Sequence, residues 1–217
     1  MVESDGSRRM QERAPRTRPP QIELTDAEIL WQGLEAFAEL GYSGASVREL
    51  AKRLAVSHNF IHDRFGSKDN FWRAVMDNAL AEPFERLEAI LERDMDDAEK
   101  FQAFVREFYV IAANRPHLNR IISDESVFDS DRLDYLYSAY TSRFLAGVEP
   151  LANRLMAAGR MPKITMDVFL SALTGPAVIL SQQQLQRHIR KSEDPSTVEW
   201  ERLTNSLADT VIRGLLR

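Results

Sequence analysis

Cysteine is missing from the chain, which excludes disulfide staples, thiolate nucleophiles and cysteine-type zinc sites and accords with a reducing compartment. No apolar run reaches the roughly 20 residues a membrane helix needs. Residues 1–20 also lack the apolar centre of a secretory signal, so the expectation is a cytoplasmic protein without membrane contact. No segment alternates apolar and polar residues with the period of a half-buried strand, which leaves an all-α fold class. An excess of positive charge is absent as well. The formal net charge is -5, which argues against a protein that coats nucleic acid through bulk charge.

What is present is enough apolar material for a sizeable core, 44% of 217 residues, in one large domain or a small one joined to a larger. Charge is unevenly placed. Residues 1–76 balance eleven Lys/Arg against eleven Asp/Glu, and the remainder carries the whole acidic excess, seventeen against twenty-two. Only the first third is suited to meet phosphate. Residues 1–23 are rich in Arg, Pro, Ser and Glu, and are expected to be a disordered basic arm, either a solvated tail or one that follows DNA into a groove.

Thr25-Asp26-Ala27-Glu28 reads as a capping box, followed by apolar residues at helical spacing from Ile29 to Leu40, with Gly41 as the C-terminal cap. A second box, Ser46-Val47-Arg48-Glu49, opens a short helix with Val47, Leu50, Ala51 and Leu54 on one stripe. Ser57 is placed to cap a third, very short helix with Ile61 and Phe65 buried. Two short helices about so tight a turn read as a helix-turn-helix over residues 24–70. Residues 71–217 read as long helices. A kink is expected at Pro83, a stop at Arg115-Pro116, a helix from Arg132 to about Met156 with a bend between Gly147 and Pro150, and one long helix from Val168 to Arg187, apolar nearly all round as far as Leu180. A last helix is expected after Asp194-Pro195, carrying Trp200, Leu203, Leu207 and Val211.

On the third helix, 100° per residue with Ile61 and Phe65 inward turns Asn59 and Asp63 outward, flanked by His62 and Phe60. That is the arrangement a groove-reading face needs, and a solvated face would share it. Ile29-Leu30 through Leu40-Gly41-Tyr42, then Ser46-Val47-Arg48-Glu49-Leu50-Ala51, Val56-Ser57 and Phe65-Gly66-Ser67-Lys68, resemble the signature of the tetracycline-repressor (TetR) family over about fifty residues.

The resemblance implies a dimeric DNA-binding regulator, a repressor or an activator. Arg48 would contact DNA from the crossing helix, Ser57 would stand at the entry of the reading helix, and His58, Asn59 and Phe60 would face bases. His62, Arg64 and Lys68 would hold phosphates, Lys68 with help from the helix N-terminus. Asp63 is unusual, an acid expected near DNA. It would accept from a cytosine amino group or from Arg64, or point into solvent.

The same resemblance implies a helical ligand-binding and dimerisation region, controlled by an unidentified small molecule or by a protein partner. Its pocket candidates are Phe104, Phe108, Tyr137, Tyr140 and Phe144, with Asn114, Glu125 and Thr174 as polar contacts, although core packing explains most of the aromatic set. Its dimer candidates are Val168, Ala172 and Ile179 with Trp200, Leu203, Leu207 and Val211, forming a four-helix bundle across a homodimer. The expected partners are double-stranded operator DNA, a second copy of the chain and a small, mainly apolar effector. No cofactor or metal is expected. His58 and His62 stand four apart, but no carboxylate completes a metal set. An enzyme is not expected either, because nothing pairs Asp124 or Glu125 with a nucleophile.

Overall fold

The computed structural model describes residues 25–190 and 197–217. The expected arm and the Asp194-Pro195 helix start lie outside the described residues. Among those described, all regular structure is helical.

α1 (Asp26–Gly44) begins at the expected capping box. The Thr25 hydroxyl accepts from the Glu28 amide at 3.3 Å, and the Glu28 carboxylate accepts from the Thr25 amide at 2.8 Å. Gly41 ends the regular part with φ 67°, a left-handed conformation that suits a residue without Cβ. α2 (Val47–Arg53) starts at Ser46, whose hydroxyl accepts from the Glu49 amide at 3.2 Å. Glu49 does not reach back to complete a box. Its carboxylate faces Arg53 Nε at 3.5 Å instead.

α3 (Phe60–Phe65) begins later than expected. Ser57 does not cap it; the chain enters through a turn in which the Ser57 carbonyl accepts from the Phe60 amide at 3.1 Å, and Asn59 is the residue before the helix. α4 (Lys68–Leu91) follows, capped by the Ser67 hydroxyl on the Asn70 amide at 3.0 Å. Pro83 is buried inside it.

Ile29, Leu34 and Phe37 of α1 close over Leu50, Leu54, Ile61, Phe71, Trp72, Val75 and Met76 to form the first core. Gly33 lies where α1 and α4 meet. A Cβ there would stand 2.7 Å from Phe71 and 2.8 Å from Val75, so the two helices approach over bare backbone. This core runs on to Leu80 and takes in Leu118 and Ile121 of α6 (Pro116–Glu125) and Leu136 of α7 (Asp131–Leu136). The expected boundary after residue 70 therefore falls inside α4, whose first turns serve the head and whose last turns serve the rest.

The second core joins α5 (Asp97–Asn114), α8 (Ser142–Ala157), α9 (Met166–Thr174) and α11 (Thr197–Leu215) around Phe101, Phe104, Tyr109, Leu151 and Phe169. α5 stops at Asn114 and Pro116 takes the first position of α6, as expected. Two expectations fail.

The helix expected from Arg132 to Met156 is α7, then a π-helical turn at Tyr137–Thr141, then α8 running unbroken past Gly147 and Pro150. The helix expected from Val168 to Arg187 is three pieces: α9, a 3-10 turn at Pro176–Ser181 and α10 (Gln183–Arg190). Pro176 has no amide to continue α9, so the chain restarts there in a tighter helix. The all-round apolar surface read from sequence is thereby divided: Phe169, Leu173, Ala177 and Leu180 are buried, and Val168 is exposed.

Candidate nucleic-acid interface and cavity

In the head, α3 buries Ile61 and half-buries Phe65, whose ring lies tilted against that of Phe71 with centroids 4.8 Å apart. Ser57, His58, Asn59, His62, Asp63 and Arg64 are exposed, so the turn and α3 present one polar surface. Phe60 is half-buried against Phe65, with ring centroids 6.4 Å apart. His62 Nδ1–H donates to the Gly66 carbonyl at 2.8 Å, which turns Nε2 away from the backbone.

Arg64 pairs with Asp26 of α1, so it is not the partner of Asp63. Its long-range partner is invisible to local sequence reading. On α2, Arg53 is bound by Glu39 and Glu49. Arg48 is exposed and outside these pairs, and Lys52, exposed one turn on, shares its face. Sequence reading missed Lys52, although its spacing of four from Arg48 was the signal.

Lys68 departs from expectation. Its ammonium donates to the Tyr42 carbonyl at 2.9 Å and stands 3.9 Å over the Tyr42 ring. Burial, and secondarily Arg132, lower its pKa. The ammonium that the resemblance assigned to phosphate is satisfied inside the protein, because the ring and carbonyl at the end of α1 lie within its reach.

Tyr42 is also met by Arg132 of α7, whose guanidinium carbon lies 3.8 Å from the ring centre. Arg132 Nε in turn donates at 2.9 Å to both oxygens of buried Glu125, at the end of α6. Glu125 is thus a link between helices and not a cavity contact.

The cavity lies between α4, α5, α6, α7, the π-turn, α8 and α9, with a volume of about 790 Å³. Phe108, Tyr137, Tyr140, Phe144 and Thr174 line it, five of the eight candidates. Phe104 is fully buried behind the wall, 5.6 Å from Phe144, and Asn114 is exposed at the end of α5. Phe84, Asn119, Ser123, Asp167 and Leu170 also line the cavity. Phe84, Asn119, Asp167 and Leu170 were not in the expected set, because elements distant in sequence converge there.

Tyr140 and Tyr135 both donate their hydroxyls to Asp77 of α4. Burial first, and Asp77 second, push Tyr140 well above the usual phenol range and Tyr135 up to about 12. Of the dimer candidates, Val168 is exposed; Ala172, Ile179, Trp200, Leu203 and Leu207 are half-buried against the second core; Val211 is buried within it. Among the described residues no cluster has the makings of a metal site, and no helix is long and apolar enough to cross a membrane.

Residues 29–75 match the family model described as bacterial regulatory proteins, tetR family. The HTH-type transcriptional repressor NicS of Pseudomonas putida is 26% identical over 122 residues, 54% of this chain and 56% of NicS. The HTH-type transcriptional repressor Rv3405c of Mycobacterium tuberculosis is 37% identical over 63 residues, 29% of this chain and 34% of that protein. The chain thus spans about half, or a third, of the length of these relatives. Among solved structures, AibR in complex with isovaleryl coenzyme A and operator DNA superposes with a TM-score of 0.66 at 13% identity, covering 84% of this chain and 95% of AibR. That likeness shows a shared fold across both cores. The head thus matches the tetR family of bacterial regulatory proteins in sequence over residues 29–75, and the helical body shares its fold with AibR.

Proposed function

We propose that this protein is a transcriptional repressor that binds a two-fold symmetric operator as a homodimer and releases it when a small molecule fills the cavity. One observation carries the reading: α6 and α7 wall the cavity with Ile122, Ser123 and Leu133, while Leu118, Ile121 and Leu136 of the same helices belong to the head's core. A ligand that shifts these helices shifts the head. Arg132 and Glu125 add a polar strut between the same helices and Tyr42.

On the DNA side, the first helix of such a motif crosses the backbone and the second enters the major groove. His58, Asn59 and Asp63 then face bases; Arg48 and Lys52 meet phosphate. Asp63, with Arg64 taken by Asp26, has a cytosine amino group as its natural donor. Dimerisation uses α10 and α11, where exposed Leu185 and Ile189 stand one turn apart on α10. The relatives' names, both HTH-type transcriptional repressors, support the regulatory reading.

The test is selection of bound duplexes from a random pool, followed by anisotropy titration of the selected duplex. A palindromic site bound by two chains is expected, and Asp63→Ala should lose about 1 to 3 kcal/mol of discrimination at one position of each half-site. A protein that enriches no duplex, or that remains a monomer at micromolar concentration by light scattering, overturns the reading.

A further inference from the structure

The donors and charges on the cavity wall decide what it can hold. Among the described residues lining it, Asp167 is the only charged side chain, and no lysine, arginine or histidine is among them. A carboxylate or phosphate drawn against this wall would shed its hydration and gain no counter-charge.

Four of the polar lining groups have also committed a hydrogen to the protein. The Tyr140 hydroxyl donates to Asp77, the Thr174 hydroxyl to the Leu170 carbonyl at 2.8 Å, the Ser126 hydroxyl to the Ile122 carbonyl at 2.6 Å, and the Asn119 amide to the Ala112 carbonyl at 2.8 Å. The three hydroxyls then have only oxygen lone pairs left to offer, and Asn119 its amide oxygen and one remaining N–H. A guest that complements these oxygens must bring donors of its own.

The rings add to the same sign. Phe84 meets Tyr140 at 5.2 Å and Phe144 at 6.5 Å, and Phe144 meets Phe108 at 6.2 Å, so an aromatic band runs along the wall. The faces of such rings are electron-rich and attract cations. Ser126, Tyr137 and Asp167 are the exposed lining residues, and they mark where the cavity opens.

We propose that the cavity selects a hydrophobic cation, a protonated amine carried on an apolar ring body, with the ring against the aromatic band and the ammonium directed to wall acceptors and to Asp167. This rests on reading the cavity as the effector site. It also separates the protein from AibR, whose structure holds a coenzyme A thioester, because the phosphates of such a ligand have no cation on this wall.

The experiment uses three probes with one ring and three charges: naphthalen-1-ylmethylamine, naphthalen-1-ylmethanol and 1-naphthoate. Calorimetric titration at neutral pH of the full chain, Asp167→Asn and Leu170→Trp measures each affinity. The amine is expected to bind at least about tenfold more tightly than the alcohol, with naphthoate weakest. Asp167→Asn should erode the amine's advantage and leave the alcohol unchanged, and Leu170→Trp should weaken every probe that binds.

If Leu170→Trp melts early, Val178→Phe supplies the second block on the same wall. Naphthoate or alcohol binding as tightly as the amine, with the block still effective, overturns the charge assignment and leaves the cavity as the ligand site. An amine whose binding ignores both blocks overturns the cavity reading itself. Failure of the amine to bind at millimolar concentration overturns the proposal.

Discussion

The head and the cavity-bearing body use the same kinds of apolar side chain and bury them to opposite ends. In the head, Phe71, Trp72 and Ile61 are fully enclosed, and even a Cβ at Gly33 would collide with Phe71. In the body, Phe108, Tyr140 and Phe144 are half-buried around a void of about 790 Å³. A reading surface must hold side chains in fixed register, so tight packing serves it. A ligand site must leave room, and gives up contacts to do so.

The largest expected effect comes from the same truncation made on both sides. Phe71→Ala removes a fully buried ring and leaves a closed void, which should cost about 3 to 5 kcal/mol in urea unfolding. Phe144→Ala enlarges a space that already exists, so only lost area counts, about 1 to 2 kcal/mol. Equal costs would mean that the cavity collapses around its wall and is not held open by the fold.

Next in size is the strut that joins the two regions. Arg132→Met leaves Glu125 buried without its counter-charge and removes a cation from the Tyr42 ring. Breaking a buried pair from one side costs about 3 to 5 kcal/mol; with Arg132 partly exposed, about 2 to 3 kcal/mol is expected. The double variant Glu125→Gln with Arg132→Met should recover part of that stability without restoring ligand control of DNA binding. Recovery of both would reduce the strut to a packing contact.

A smaller effect separates the cations of the head. Each phosphate contact adds about 0.9 to the slope of log affinity against log salt. Arg48→Ala and Lys52→Ala should each flatten the slope by about one, and Lys68→Ala by clearly less, because its ammonium is held by Tyr42. A full unit lost at Lys68 would mean that the ammonium leaves Tyr42 on binding DNA.

How far the sequence could be read follows the same division. The capping box at Thr25, the left-handed Gly41, the buried Ile61 and the exposed Asn59 and Asp63 all depend on neighbours within a turn or two, and they were legible. So was the stop at Pro116. The partners of Arg64 and Lys68 lie 38 and 26 residues away and left no local trace. The same holds for Asn119 and Asp167 in the cavity. The division of the expected helix after Val168 was available in Gly175-Pro176 and was outweighed by the apolar run around it. The π-turn at Tyr137–Thr141 has no residue that announces it.

The smallest effect concerns the turn between α2 and α3, where Ala55 is the one non-glycine residue with positive φ among those described, at 52°. A left-handed L-residue costs roughly 1 to 2 kcal/mol because its Cβ crowds the following carbonyl. Ala55→Gly removes that cost and adds freedom to the unfolded chain, worth about 0.4 to 1 kcal/mol in the other direction. The difference is a gain of about 0.5 kcal/mol, read as a higher urea midpoint at unchanged slope. Operator affinity should stay the same, because the Val56 amide bond to the Ala51 carbonyl, 3.0 Å, and the Ala55 amide bond to the Lys52 carbonyl, 3.2 Å, both survive the change. They hold the angle at which α3 leaves α2. If stability rises while operator binding falls, the Ala55 methyl group itself restrains that angle, and the tight packing of the head extends into its turn.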